Sequence, residues 1–159
     1  MERKKELSFH DAKEKALRYL EFRSHSEKEL SEKLKHSGAK DEDILSVITF
    51  LKEYNFLNDQ SFAEKYAHDL VRLKKFGKNR VKLELSKKGI SQEIISEVLE
   101  DFDWDSEDVL TPLVKKKLSG DFEKKSIDRC FRYFLYKGYS FDEIKSSIDK
   151  IKTEAEYDI

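Results

Sequence analysis

The chain has 159 residues, room for one ordinary domain or a few small units that share their cores, and although 41% of them are charged the net is only −1. That balance excludes a generic nucleic-acid sponge, so any electrostatic binding must come from a local patch. One Pro and five Gly argue against a sheet protein, which needs more turn residues, and eleven Phe with seven Tyr argue against disorder despite the charge.

The opening MERKKELSFHD carries charge with no apolar run behind it, so no signal peptide is expected. No window approaches the ~20 apolar residues of a membrane span, and the single Cys130 lies in an apolar-periodic stretch as a small core residue of a reducing compartment. A cytoplasmic protein without a membrane partner is expected.

Ser8, three residues before Asp11, caps a first helix in which Ala12, Ala16, Leu17, Tyr19 and Leu20 keep helical spacing to about Phe22. Ser26-Glu27-Lys28-Glu29 is a capping box that opens a second helix, with Leu30 and Leu34, ending at Gly38. A third, from Asp41 to about Tyr54, places Ile44, Val47, Ile48 and Leu51 on one face before Asn55-Phe56-Leu57-Asn58-Asp59 breaks the run. Asn and Asp before an apolar helix are ordinary caps, and Asn58-Asp59 reads that way rather than as catalytic.

The same pattern then recurs. A long helix with Phe62, Ala63, Tyr66, Ala67 and Leu70 leads to Phe76-Gly77, a short one with Val81 and Leu85 stops at Gly89, and a third carries Ile94, Ile95, Val98 and Leu99. Leu34 and Leu85 stand four before Gly38 and Gly89, Leu30 and Val81 eight before, and Ile44 and Ile95 six after. Ala12 with Ala63 and Ala16 with Ala67 also keep equal offsets. Around Gly138 a fainter copy has Phe134, Cys130 and Ile144 at the matching places and a capping box at Ser140-Phe141-Asp142-Glu143. Its first helix is interrupted by Thr111-Pro112, where Pro112 either opens a helix after a Thr111 cap or kinks one begun near Ser106.

The glycine anchors are 51 and 49 residues apart, a period that suits a unit of three helices. The expected fold is all-α: an elongated right- or left-handed array of three tandem three-helix repeats, about nine helices in all. The repeats are set at residues 8–57, a basic 58–102 and a degenerate 103–155.

Charge is segregated along this array. Between Val71 and Gly89 stand eight cations, Arg72, Lys74, Lys75, Lys78, Arg80, Lys82, Lys87 and Lys88, against the single acid Glu84. From Ser91 to Leu110 there is no Lys or Arg but eight acids. Charge runs on helices are usually solvated faces, yet such concentration in a neutral chain favours contact with phosphate or with an acidic protein face. Lys74, Lys78 and Lys82 repeat every four residues, although Gly77 interrupts the helix. Tyr66, Phe76, Phe131, Tyr133, Phe134 and Tyr136 lie near the cations; Phe134 belongs to the core by its repeat position, and Tyr136, off register, is the better surface candidate for stacking on bases. The acids from Glu97 to Asp108 lack the spacing of a calcium loop and solvate a connection, where Trp104 could plug the gap between repeats. The four histidines are too scattered for a metal pair, no second cysteine joins a zinc site, and no catalytic motif is present, so neither cofactor nor enzyme activity is expected.

Three stretches, ALRYLEFRSHSEKELSEKLKHSG, YNFLNDQSFAEKYAHDLVRLKKFGKNRVKLELSKKGISQEII and FRYFLYKGYSFDEI, together resemble the RecX family of regulators of the RecA recombinase. LNDQSFAEKY and FGKNRVKLELSKKGI are the most specific segments. The resemblance implies three tandem three-helix repeats that lie along the RecA–DNA filament and block its extension or promote its disassembly, damping recombination and the SOS response; a monomer is expected. It places the family's join on Asn58, Asp59, Phe62 and Ala63 and its basic segment on Lys74, Lys75, Gly77, Arg80 and Lys88. The third repeat departs from the pattern, with Lys137-Gly138-Tyr139 where a phenylalanine is usual after the glycine. The partners implied are RecA, its nucleoprotein filament, and single- or double-stranded DNA. The rival expectation is a stand-alone DNA-binding protein using the second and third helices of a repeat as a helix-turn-helix.

Overall fold

The computed structural model describes residues 5–105 and 107–158. Among the described residues there are nine helices and no strand: α1 Phe9–Phe22, α2 Glu27–His36, α3 Asp41–Glu53, α4 Asp59–Arg72, α5 Lys78–Lys87, α6 Gln92–Glu100, α7 Glu107–Leu118, α8 Lys124–Tyr136 and α9 Phe141–Tyr157. The all-α reading and the helix triplets stand.

Local chemistry explains the starts. Ser8 Oγ accepts the Asp11 N–H at 3.1 Å, and Ser26 with Glu29 and Ser140 with Glu143 form complete capping boxes that satisfy otherwise orphaned helix amides. Asn58 Oδ1 accepts the Ser61 N–H at 3.1 Å and so caps α4 as expected. Asp59 does not share that task, a correction to the reading of both residues as local caps. Its Oδ1 instead accepts the Glu27 N–H at 2.9 Å, at the first turn of α2.

The helix stops explain the repeat. Gly38, Gly89 and Gly138 adopt φ of 100°, 76° and 102°, a left-handed backbone in which a Cβ is strained. Each glycine N–H bonds back to the residue three before it, Lys35, Ser86 or Leu135, at 3.0–3.1 Å. Each following N–H, of Ala39, Ile90 or Tyr139, reaches the carbonyl of Leu34, Leu85 or Phe134 at 3.0–3.2 Å. This is the Schellman arrangement written three times, and its apolar pair joins the residue four before the glycine to the one after. Leu34, Leu85 and Phe134 are all buried.

Packing divides the chain into two compact units, one of residues up to Tyr66 with Leu85–Val98, the other of Ala67–Glu84 with residues from Leu99 onward. In the first unit Ala12, Ala16, Leu30, Leu34, Val47 and Leu51 centre a core over α1, α2 and α3. Ala12 and Ala16 have no exposed surface, and their small side chains let α1 approach its neighbours closely. In the second unit the core over α7, α8 and α9 is built from Leu110, Val114, Leu118, Cys130, Phe134, Ile144 and Ile148. Pro112 lies inside α7, which settles its place against the reading that starts a helix at Pro112; Ser106 is outside the described residues. The ring removes one helix hydrogen bond on an exposed face, and beside it Thr111 Oγ1 lies 3.0 Å from the buried Ser147 Oγ.

Candidate functional site

The eight cations of the basic segment fall in both units. Arg72, Lys74, Lys75, Lys78, Arg80 and Lys82, with Tyr136, belong to the second; Lys87 and Lys88 belong to the first. The four-residue spacing of Lys74, Lys78 and Lys82 does not run along one helix, because α4 ends at Arg72 and α5 begins at Lys78. Lys74 and Lys75 occupy the turn between, where Lys75 itself has a φ of 56°. The buried Tyr139 hydroxyl donates to the Lys75 carbonyl at 2.7 Å and holds that turn. Burial, aided by the nearby Glu143 charge, pushes the Tyr139 phenol up to about 12, so this donor keeps its proton.

That turn forms one wall of a cleft of about 490 Å³ lined by Lys74, Lys75, Leu113, Lys116, Lys117, Tyr133, Phe134 and Lys137. Five ammonium groups line it and no carboxylate does. Aromatic faces steer the charges: Lys117 Nζ lies 4.1 Å above the Tyr133 ring centroid, and Lys137 Nζ is 5.5 Å from Tyr133 and 5.2 Å from Phe76. Lys137 also donates to the Lys74 carbonyl at 3.5 Å. Lys116, Lys117 and Lys137 escape a reading confined to residues 71–89; the signal available is the Lys115-Lys116-Lys117 run after the acidic stretch for the first two and the Lys137-Gly138-Tyr139 stop for the third.

Other members of the basic segment are engaged in holding the fold. Arg80 Nε donates to Glu84 at 2.9 Å and Nη1 to the Tyr136 carbonyl at 3.2 Å, with its guanidinium over both Phe76 and Tyr136. Tyr136 is 66% exposed, yet its ring already carries Arg80. Close by, the Gly77 N–H bonds the Lys137 carbonyl at 2.9 Å and the Asn79 N–H bonds the Gly138 carbonyl at 3.2 Å. A Cβ on Gly77 would come within 2.7 Å of the Gly138 backbone, so this is a backbone-to-backbone contact that a side chain would force apart.

In the first unit the start of α2 is the charged centre. Arg23 grips Glu29 with two guanidinium nitrogens at 2.8 and 3.3 Å, Lys88 Nζ donates to the same carboxylate at 3.1 Å, and Ser26 Oγ donates to the Lys88 carbonyl at 2.7 Å. Burial opposes the Glu29 charge, but the hydrogen bonds from Arg23, Lys88 and the Ser26 amide outweigh it and bring the carboxyl down to about 2. His25, buried beside them, donates from Nδ1 to the Arg23 carbonyl at 2.9 Å and accepts from Lys33 Nζ at 2.7 Å, an arrangement that only the neutral ring can make.

Asp103 and Asp105 accept backbone N–H groups of Asp105 and Glu107 at 3.0 and 3.4 Å, so the acidic connection is partly self-capped. Trp104 Nε1 donates to the Leu99 carbonyl at 2.7 Å. Among the described residues no group of three or more His, Cys, Asp or Glu is placed to hold a metal ion, and no helix is long and apolar enough to cross a membrane.

Comparison with known proteins agrees with this architecture. Family models match residues 12–51 as the first three-helix domain of RecX and residues 58–99 as the second. The chain is 36% identical over 159 residues to the regulatory protein RecX of Clostridium perfringens (strain SM101 / Type A), covering 96% of this chain and 74% of that one. It is 40% identical over 153 residues to the regulatory protein RecX of Clostridioides difficile (strain 630), covering 93% and 71%. A crystal structure of RecX from Lactobacillus salivarius superposes with a TM-score of 0.75 at 25% identity, covering 91% of this chain and 97% of that one.

Proposed function

The chain belongs to the RecX family of regulatory proteins, and from that premise we propose that it binds the RecA recombinase and its filament on DNA and restrains recombinase, ATPase and coprotease activity. The observation that carries this reading is the likeness to RecX regulatory proteins across both three-helix domains and nearly the whole chain. The regulator needs no chemistry of its own. A protein that binds one filament state better than another shifts assembly and ATP turnover by that difference alone. Arg72, Lys74, Lys75, Lys78 and Lys82, all exposed, supply charge for phosphate or for an acidic protein face. The protein would act in the cytoplasm, as a monomer.

The rival, a stand-alone helix-turn-helix DNA reader, is disfavoured by the third helix of each triplet, which would have to enter the major groove. α3 begins with Asp41, Glu42 and Asp43, α6 carries Glu93 in its first turn and no Lys or Arg, and α9 carries Asp142 and Glu143 in its first turn. Carboxylates at the reading end of a recognition helix repel the phosphate backbone. The test is RecA's ATPase rate on single-stranded DNA with and without this protein. A lower rate is expected, and an unchanged rate with no binding to the filament overturns the reading. Tight, sequence-dependent binding to duplex DNA alone would favour the rival.

A further inference from the structure

We infer that the lysine cleft of the second unit is a seat for the phosphate backbone of a single nucleic-acid strand, with Lys116, Lys117 and Lys137 as its principal contacts and Tyr133 as the residue that positions Lys117 and Lys137. This deepens the regulator reading and rests on it only for where the strand comes from, a filament in which DNA is bound.

Three features converge on that occupant. Five lysines share a cavity of about 490 Å³ with no acid in its lining, so in the absence of an anion their mutual repulsion is uncompensated within the cleft. Two of the lysines are held on ring faces rather than left to roam: Lys117 stands 4.1 Å over Tyr133, and Lys137 lies 5.5 Å from Tyr133 and 5.2 Å from Phe76. Charges oriented in advance lose less side-chain freedom when an anion arrives. The ligand's shape follows from the volume, which suits a ligand the size of one or two nucleotides and is far too small for the width of a duplex. Lysine ammonium groups act as point charges and suit phosphates presented in varying orientation along a flexible strand.

The occupant could be a strand or a free phosphate compound, and the experiment separates the two. Binding of a fluorescent oligothymidylate to the full chain is followed by anisotropy across a salt series, with dTMP and inorganic phosphate as competitors and a duplex of equal length as a control. In parallel, RecA's ATPase rate on single-stranded DNA is recorded with each variant. Lys116→Gln, on an exposed side chain, should lower the salt slope by about 0.7, and the triple change of Lys116, Lys117 and Lys137 to Gln by about 2. Tyr133→Leu should weaken binding and Tyr133→Phe restore it, because the ring face and not the hydroxyl holds the ammonium groups. Thermal unfolding of each variant checks that the fold is kept. An unchanged slope in Lys116→Gln and in the folded triple variant overturns the inference, as do equal competition by dTMP, equal duplex binding, or no strand binding by the wild type at low salt. Loss of strand binding while the wild type leaves RecA unaffected would overturn the regulator reading and keep the cleft. A RecA effect that survives with unaltered strand binding would do the reverse.

Discussion

The Asp59 carboxylate accepts the backbone N–H of Glu27 at 2.9 Å, so the first residue of α4 caps the start of α2, 32 positions earlier in the chain. This bond ties the beginning of the second triplet into the first and gives the LNDQSF join a structural task. Burial raises the Asp59 carboxyl above its usual range, with the Glu27 charge acting the same way, while the bonded amide works against both.

Asp59→Ala should therefore lower the free energy of unfolding by about 0.5–2 kcal/mol, the range for losing a helix cap. Asp59→Asn keeps the accepting oxygen and removes a charge that burial disfavours, so it should match or exceed the wild type at neutral pH. Urea unfolding of the three proteins checks the order; an Asn variant as weak as the Ala variant would show that the charge, not the bond, matters.

Gly138 and Gly120 offer a paired test of close backbone approach. Both hold a left-handed φ, 102° and 78°, but a Cβ on Gly138 would fall on the Arg80 backbone nitrogen, whereas one on Gly120 meets nothing within 4 Å. Gly120→Ala should lose only the conformational term, about 1–2 kcal/mol. Gly138→Ala should lose clearly more and should loosen the contact that holds Gly77 to Lys137. Thermal melts of the two variants give the comparison, and equal losses would exclude a steric part.

Stability should fall with acid through two groups of the first unit. His25 is kept neutral chiefly by burial, its pKa below the ordinary 6.5, so the unfolded chain takes up a proton there before the folded one does. Stability is then lost as pH falls below about 6.5 until the folded ring itself protonates. Glu29, lowered to about 2 from 4.5, contributes stability that is complete above 4.5 and disappears as pH falls through about 2. Denaturant unfolding from pH 7.5 to 3 should show the first step and the onset of the second, and His25→Gln should flatten the first while leaving the second.

Much of the fold was legible because its signals are local. A Ser three residues before Glu forms a capping box with its own backbone, and a glycine with an apolar residue four before and one after forms its own Schellman bonds, so Ser26, Ser140, Gly38, Gly89 and Gly138 could be read without knowing the packing. The first helix of the third triplet was harder, because its inner face uses Leu110, Val114 and Leu118 where α1 has Ala12 and Ala16. The candidate site was less legible still. Lys116 and Lys117 on α7 and Lys137 after α8 join Lys74 and Lys75 only through tertiary packing, and a cation's partner, such as Glu29 for Lys88, lies 59 residues away. Charge density along the chain found the basic segment and could not sort its members.

That sorting makes the last prediction. Lys88 bonds Glu29 at 3.1 Å, stands 5.4 Å from the Tyr66 ring centroid and keeps only 29% of its side chain exposed, whereas Lys74 is exposed at the rim of the cleft. Removing Lys88 takes a hydrogen bond from a half-shielded carboxylate, a loss of about 1–2 kcal/mol after allowance for solvent screening. Removing Lys74 should change stability by no more than about 0.5 kcal/mol, the usual range for an exposed position. Lys88→Ala should thus unfold at lower urea with the salt dependence of DNA binding intact, and Lys74→Ala should unfold close to the wild type with a smaller salt dependence. Arg80, bonded to Glu84 and to the Tyr136 carbonyl, should behave like Lys88 in direction. If Lys88→Ala weakens DNA binding at temperatures where it is fully folded, the division between cations that hold the fold and cations that meet the ligand is wrong.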